Sequence, residues 1–320
     1  MRFNTLAAAT TLLLCTLPAV SQARDTALYL PFDQVVTEAI STGKIDGSSS
    51  ICGQTMDWCV AAPGTNIASS VVEGDIEGEA IRDEDGNVIG FRVTSETPDY
   101  GYGLMTGTSM AAPHVTGALA LLMERFPYLG NPQIRDVLLT TATDIGAPGI
   151  DPIYGWGLIN LKKAIDGPGL LRVDTNVVMN QRAGGAKVWD GAAWDDWSND
   201  IGGPGKLGKD GIGWLRLSGK NSFAGASVKQ GILELTGENR LAGDVSIDGS
   251  AGALYLTSTG SLIGSNLWVN NGVAMVNGTV SGGRTVVGAA GTLGGSGTVG
   301  DLDVFGTLAP GNSIGTLTVN

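Results

Sequence analysis

Two stretches of this chain match in register: GWLRLSGKNSFAG at 213–225 and GILELTGENRLAG at 231–243. Gly213 falls on Gly231, Leu215 on Leu233, Leu217 on Leu235, Gly219 on Gly237, Asn221 on Asn239, Ala224 on Ala242 and Gly225 on Gly243. A looser copy, GALYLTSTGSLIG, begins at Gly252, and short strand-like runs between glycines continue to Asn320. A unit of roughly 18 to 21 residues with alternating apolar positions and no helix is about one coil of a parallel β-helix. Each coil then buries its inward Leu and Val on the next. Evenly spaced turns also suit a β-sandwich, but matched Leu, Gly and Asn positions favour the solenoid.

Composition narrows the reading further. The 50 glycines follow no three-residue period, so they mark turns rather than a collagen helix. A net charge of -12, with only 19 Lys and Arg, argues against nucleic acid as a partner. At the N-terminus, Arg2, the apolar run from Leu6 to Leu17 and the small-residue site Ser21-Gln22-Ala23 read as a secretory signal, cleaved after Ala23. The apolar run is too short to span a bilayer. Cys15 would suggest lipidation, except that Leu14 stands where a small residue is wanted. Export places the remaining cysteines, Cys52 and Cys59, where disulfides persist, so a bridge between them is expected. Closing so short a loop adds no more than about 3 kcal/mol. A metal pair is disfavoured because the single histidine, His114, lies elsewhere. No cofactor and no metal are expected.

The coarse elements follow from period and punctuation. WCVAAPGTNIASSV reads as a short strand broken at Pro63-Gly64, then a second extended piece. AIRDEDGNVIGFRV reads as a hairpin turning at Asp85-Gly86-Asn87. Its acidic residues Asp83, Glu84 and Asp85 lack the ligand spacing of a calcium loop and read as a solvated turn. From Ser109 the apolar spacing is helical, with Val115, Leu119 and Leu122 on one face, Pro113 in the first turn and an end at Phe126-Pro127. A second helix is expected in NPQIRDVLLTTAT, with Asn131 as N-cap.

The segment GTSMAAPHVTG (107–117), preceded by WCVAAPGTNIASS and followed by YGWGLINLKKAI, resembles the C-terminal part of a subtilisin-like serine protease. The resemblance runs from about Cys52 to Ile165, interrupted by an insertion at 71–100. The repeats, with WSNDIGGPGKLGKDGIGWLRLSGKNSFAG, resemble the passenger repeats of bacterial autotransporters, to which proteases of this class are joined. The implied architecture is an α/β subtilisin-like partial domain followed by a right-handed parallel β-helix. Boundaries are expected at 1–23 for the signal, 24–167 for the partial peptidase domain, 168–204 for a linker and 205–320 for the passenger repeats.

The resemblance implies that Ser109 is a nucleophile that cuts peptide bonds through an acyl-enzyme, with a peptide or protein as substrate. By residue type alone Ser109 reads as a helix N-cap, and it is the surrounding motif that reverses this reading for its origin, though not for its activity. In the family the base is a histidine preceding the serine, oriented by an earlier aspartate. No histidine precedes Ser109, and His114, five residues later, projects about 140° away around the helix and reads as a packed helix residue. Asp25-Thr26-Ala27 lacks a leading strand, and Asp174-Thr175-Asn176 follows the serine. Lys44, the single lysine before Ser109, has no surroundings that suggest a lowered pKa. The expectation is therefore an inactive or shortened peptidase. The alternative is a non-catalytic exported β-helix stalk or adhesin-like passenger in which the protease segment caps the solenoid. The sequence also carries no outer-membrane translocator barrel and stops inside the repeat pattern, a second sign of incompleteness. The expected destination is the periplasm, cell surface or medium.

Overall fold

The structure, a computed structural model, describes residues 36–39, 44–45, 49–180, 188–189 and 192–320. The signal read at 1–23 and the Asp25 triplet lie outside the described residues.

The repeat region is a parallel solenoid. Strands Ala226–Leu235, Val245–Leu256, Leu267–Val276 and Thr285–Gly295 stack side by side, placing Leu233 on Leu254 and Leu235 on Leu256. The next coil adds Ala274 and Val276 to those two columns. All of these side chains are buried, as strand alternation with one solvated face requires. A second parallel ladder runs Glu238–Asn239, Ser261–Ile263, Thr279–Ser281, Thr298–Val299, Thr318–Val319. The glycines turn the corners. Gly231 has φ 71°, and a Cβ there would overlap the carbonyl oxygens of Gly211 and Gly213 on the coil below. The matched asparagines also stack: Asn221 Nδ2 donates to Asn239 Oδ1 at 2.8 Å, and Asn239 Nδ2 continues to Ser261 O at 3.1 Å. Both are buried with their amide hydrogens bonded, so the polar column carries no desolvation debt.

The segment read as a linker, 168–204, carries strands of the same sheet. Thr175–Val178 pairs in parallel with Leu207–Asp210, and Ala192–Trp197 with Trp214–Leu217. These first coils bury Val177, Met179, Ala193 and Trp197, a residue mix that shares nothing with the Leu-Gly-Asn pattern of the later ones. Identity of spacing was the signal, and here the shape persists without it.

Before the solenoid lies a small α/β lobe. Strand β1 (Val36–Ala39) is parallel to β2 (Val60–Pro63), whose other side is bonded to residues 157–159 through Ala61 N to Gly157 O and Ile159 N to Ala61 O. Strands β3 (Ile67–Arg82) and β4 (Val88–Met105) form the expected hairpin. At its turn, Asp83 Oδ1 accepts the N–H groups of Asp85 and Asn87. Helices α1 (Thr108–Arg125), α2 (Asn131–Thr140) and the short α3 (Leu161–Ala164) follow.

Two helix details differ from the sequence reading. Pro113 sits in the second turn of α1, not the first, so the Ser109 carbonyl loses its helical donor. Gly130, not Asn131, caps α2, its N–H donating to Gln133 Oε1 at 2.7 Å. The buried faces are as the spacing requires: Ala111, Val115, Ala118, Leu119 and Leu122 on α1, Ile134, Val137 and Leu138 on α2.

Lobe and solenoid share one apolar core, continuous from Val60 to Val299. At the junction Arg125 makes a two-bond pair with Asp195, both contacts at 2.6 Å. Tyr128 also donates to Asp195, and Trp197 Nε1 donates to the Tyr128 hydroxyl at 3.1 Å. Burial, followed by the Asp195 carboxylate, holds the Tyr128 hydroxyl well above its ordinary range, so it stays a donor.

Candidate active site

Ser109 is positioned by the turn that follows β2. The Gly107 N–H donates to Gly64 O at 2.8 Å, and the Asn66 N–H to Thr106 Oγ1 at 2.9 Å, tying the two segments of the motif together. Gly107 then caps α1 with φ 153°, a conformation that side chains rarely adopt. Ser109 is thus the second residue of α1, not its cap, and it is exposed. The N–H groups of Met110 and Ala111 both turn back to Gly107 O. Among the described residues none accepts the Ser109 N–H, which lies at the positive end of the helix.

The other candidates do not converge on it. His114 is exposed rather than packed, because α1 buries only the face that carries Val115 and Leu119. Its Nδ1 lies 2.9 Å from Met110 O, one turn back on its own helix. Lys44 is exposed. Asp174 accepts the Lys206 N–H at 2.9 Å and belongs to the solenoid's first coil. Cys52 and Cys59 are joined, with Cα atoms 5.8 Å apart, around a 3-10 turn at Gly53–Trp58 that leads into β2. The short loop that the bridge closes is therefore helical. Trp58 of this turn is stacked by Arg135 and Arg172, whose guanidinium carbons lie 4.4 and 4.5 Å from its ring. Among the described residues no three His, Cys, Asp or Glu side chains come together as a metal site.

The family model for subtilases matches residues 19–157. This part of the chain is similar to the subtilases. The subtilase segment and the solenoid align together with curated relatives. An extracellular serine protease of Serratia marcescens is 37% identical over 269 residues, covering 72% of this chain and 25% of that protein. Serotype-specific antigen 1 of Mannheimia haemolytica is 38% identical over 62% of this chain and 18% of its own length. The Neisserial autotransporter lipoprotein NalP of Neisseria meningitidis serogroup B is 33% identical over 69% of this chain and 17% of its own. The chain spans about a quarter or less of the length of these relatives.

Among the described residues, several buried ionisable groups escaped the sequence reading, Asp195 and Lys209 being the most deeply buried of them. Asp195 occupies an inward position between Ala193 and Trp197, and strict alternation through AAWDDW was the one available signal. Lys209 is fully buried in the solenoid, its Nζ donating to Asp210 O, Gly211 O and Gln230 O at 2.8 to 3.0 Å. Burial lowers its pKa to about 8. Nothing in LGKDG distinguishes it from a surface lysine.

Proposed function

We propose that Ser109 is the nucleophile of a subtilisin-type site acting on polypeptides, that the chain is exported, and that this 320-residue polypeptide alone does not turn over peptide bonds. The carrying observation is the placement of Ser109: exposed, at the tip of α1, inside the family motif, with its own N–H open. A peptide carbonyl arriving there meets an alcohol and one oxyanion donor, with the helix dipole favouring the developing charge. The deficit is the base. The single histidine of the chain is bonded to its own helix on the wrong side of the turn. In subtilisin, loss of the histidine alone lowers turnover about a millionfold, which sets the expected activity below detection.

The second reading, a non-catalytic exported stalk, draws its support from the core shared by lobe and solenoid. In that reading the helices serve the solenoid as a lid over its first coil.

The purified chain is expected to leave casein intact. Millimolar imidazole, a diffusible base, is expected to accelerate hydrolysis of an activated ester in the native chain beyond its effect on Ser109→Ala. Equal rates in the two would remove Ser109 as a nucleophile and leave the stalk reading. Casein cleavage that depends on Ser109 without added imidazole would overturn the proposed incompleteness.

A further inference from the structure

The β3–β4 hairpin is a ribbon of two long strands that, among the described residues, pair only with each other. Its two faces differ. Side chains alternate, so Tyr100, Tyr102 and Leu104 share one face, opposite Ser70 and Ala68 of β3, while Gly101 and Gly103 lie on the other. Further out, Phe91 and Val93 occupy odd positions and would point away from the tyrosines in an unbroken strand. A register shift intervenes: Glu77 pairs with Ser95, but Gly78 pairs with Val93, leaving Thr94 as a bulge. The bulge returns Val93 and Phe91 to the face of Tyr100, Tyr102 and Leu104. The opposite face carries Glu77, Glu79 and Asp99, with Arg92 across from Glu79 and Ile81 toward the tip.

The apolar face is solvated. Tyr100 is 76% exposed, Tyr102 89%, Leu104 68% and Val93 52%. A two-stranded ribbon is marginal in water unless a face is covered, and a row of aromatic side chains is the composition of an interface centre.

We propose that this face is a self-association surface, covered by the same face of a second copy of the chain. The face is self-complementary, and a two-fold axis keeps the acidic faces outward and sets each acidic tip against the partner's base. One carboxylate, Glu96, shares the apolar face, where the Tyr100 and Tyr102 hydroxyls of the second copy are available donors. From the pair Ala68–Leu104 to the pair Ala80–Phe91 the face is about 40 Å long and about 10 Å wide. Two such faces in contact remove on the order of 1,000 Å2 from water, the lower limit of a specific interface. Each copy carries a net charge of -12, so the pairing strengthens with salt as that repulsion is screened.

Sedimentation of the 320-residue chain from 1 to 100 µM, at low and at 0.5 M salt, tests the proposal. The expected result is a reversible monomer–dimer equilibrium, tighter at high salt. Tyr100→Lys with Tyr102→Lys should weaken it by about 100-fold, with circular dichroism unchanged. Glu77→Gln with Glu79→Gln, on the opposite face, should leave the dimer in place. A monomer at 100 µM in high salt overturns the proposal, and so does a dimer that the tyrosine substitutions leave intact.

Discussion

The solenoid and the lobe satisfy their apolar surfaces in different ways. Each solenoid strand finds its partners one coil away, so Leu233 is covered by Leu254 and the columns continue through Ala274 and Leu293. Helix α1 has a covered face, with Ala111 and Leu122 fully buried, and an uncovered one on which Leu121 is 55% exposed. From Thr108 to Met123 it has no charged residue, the composition of a helix made for burial on all sides. Ser109 lies at the start of that helix. Apolar burial is therefore uneven: the inward columns of the solenoid strands are covered coil upon coil, while the lobe leaves one face of the helix that carries Ser109 exposed.

The junction is where the comparison is most easily broken. Trp197→Ala removes the largest fully buried side chain, shared by the first coil and α2's end of the lobe. It is expected to cost about 4 kcal/mol and to shift a single urea transition followed both by helical circular dichroism and by tryptophan emission. Two separate transitions in the unaltered chain would show that lobe and solenoid do not share cooperativity. A smaller effect comes from replacing Cys52 and Cys59 by serine. Opening a loop of this length should cost about 2 kcal/mol, lowering the midpoint of that same single transition by less than Trp197→Ala does.

The smallest effect sharpens the solenoid side. Lys209 loses its proton near pH 8 when folded and near its ordinary value of 10.5 when unfolded. Between those limits the unfolded chain binds more protons, so stability rises with pH across that window and is flat below it. The three carbonyl oxygens around Nζ favour the ammonium and offset part of the burial, so the gain is about 1–2 kcal/mol. Urea midpoints from pH 7 to 10.5 measure it. Lys209→Met should abolish the slope, and a slope that persists in this variant would assign it to another group.

The columns of the solenoid were legible because a repeat of identical residues fixes identical environments: Leu215, Leu233 and Asn221 could be placed before any coordinates. The hairpin at Asp83–Asn87 and the buried stripe of α1 were legible because turn chemistry and helical period act locally. The first coils were not, since Val177, Met179 and Trp197 keep the shape of the repeat without its letters. Nor were the exposure of His114 and the common face of Phe91 and Tyr102, which hang on what lies beside a helix and on one bulged residue.

By itself, then, the sequence determined the stacking period, the serine motif and the absence of a preceding imidazole, because each is a matter of residue identity and spacing along the chain. Only the tertiary structure decided that the helices rest on the first coil through Asp195 and Trp197, that Lys209 is interior, and that the ribbon has one apolar face. Those outcomes depend on which distant groups come within a few ångströms of one another, and distance through space is not written in local pattern.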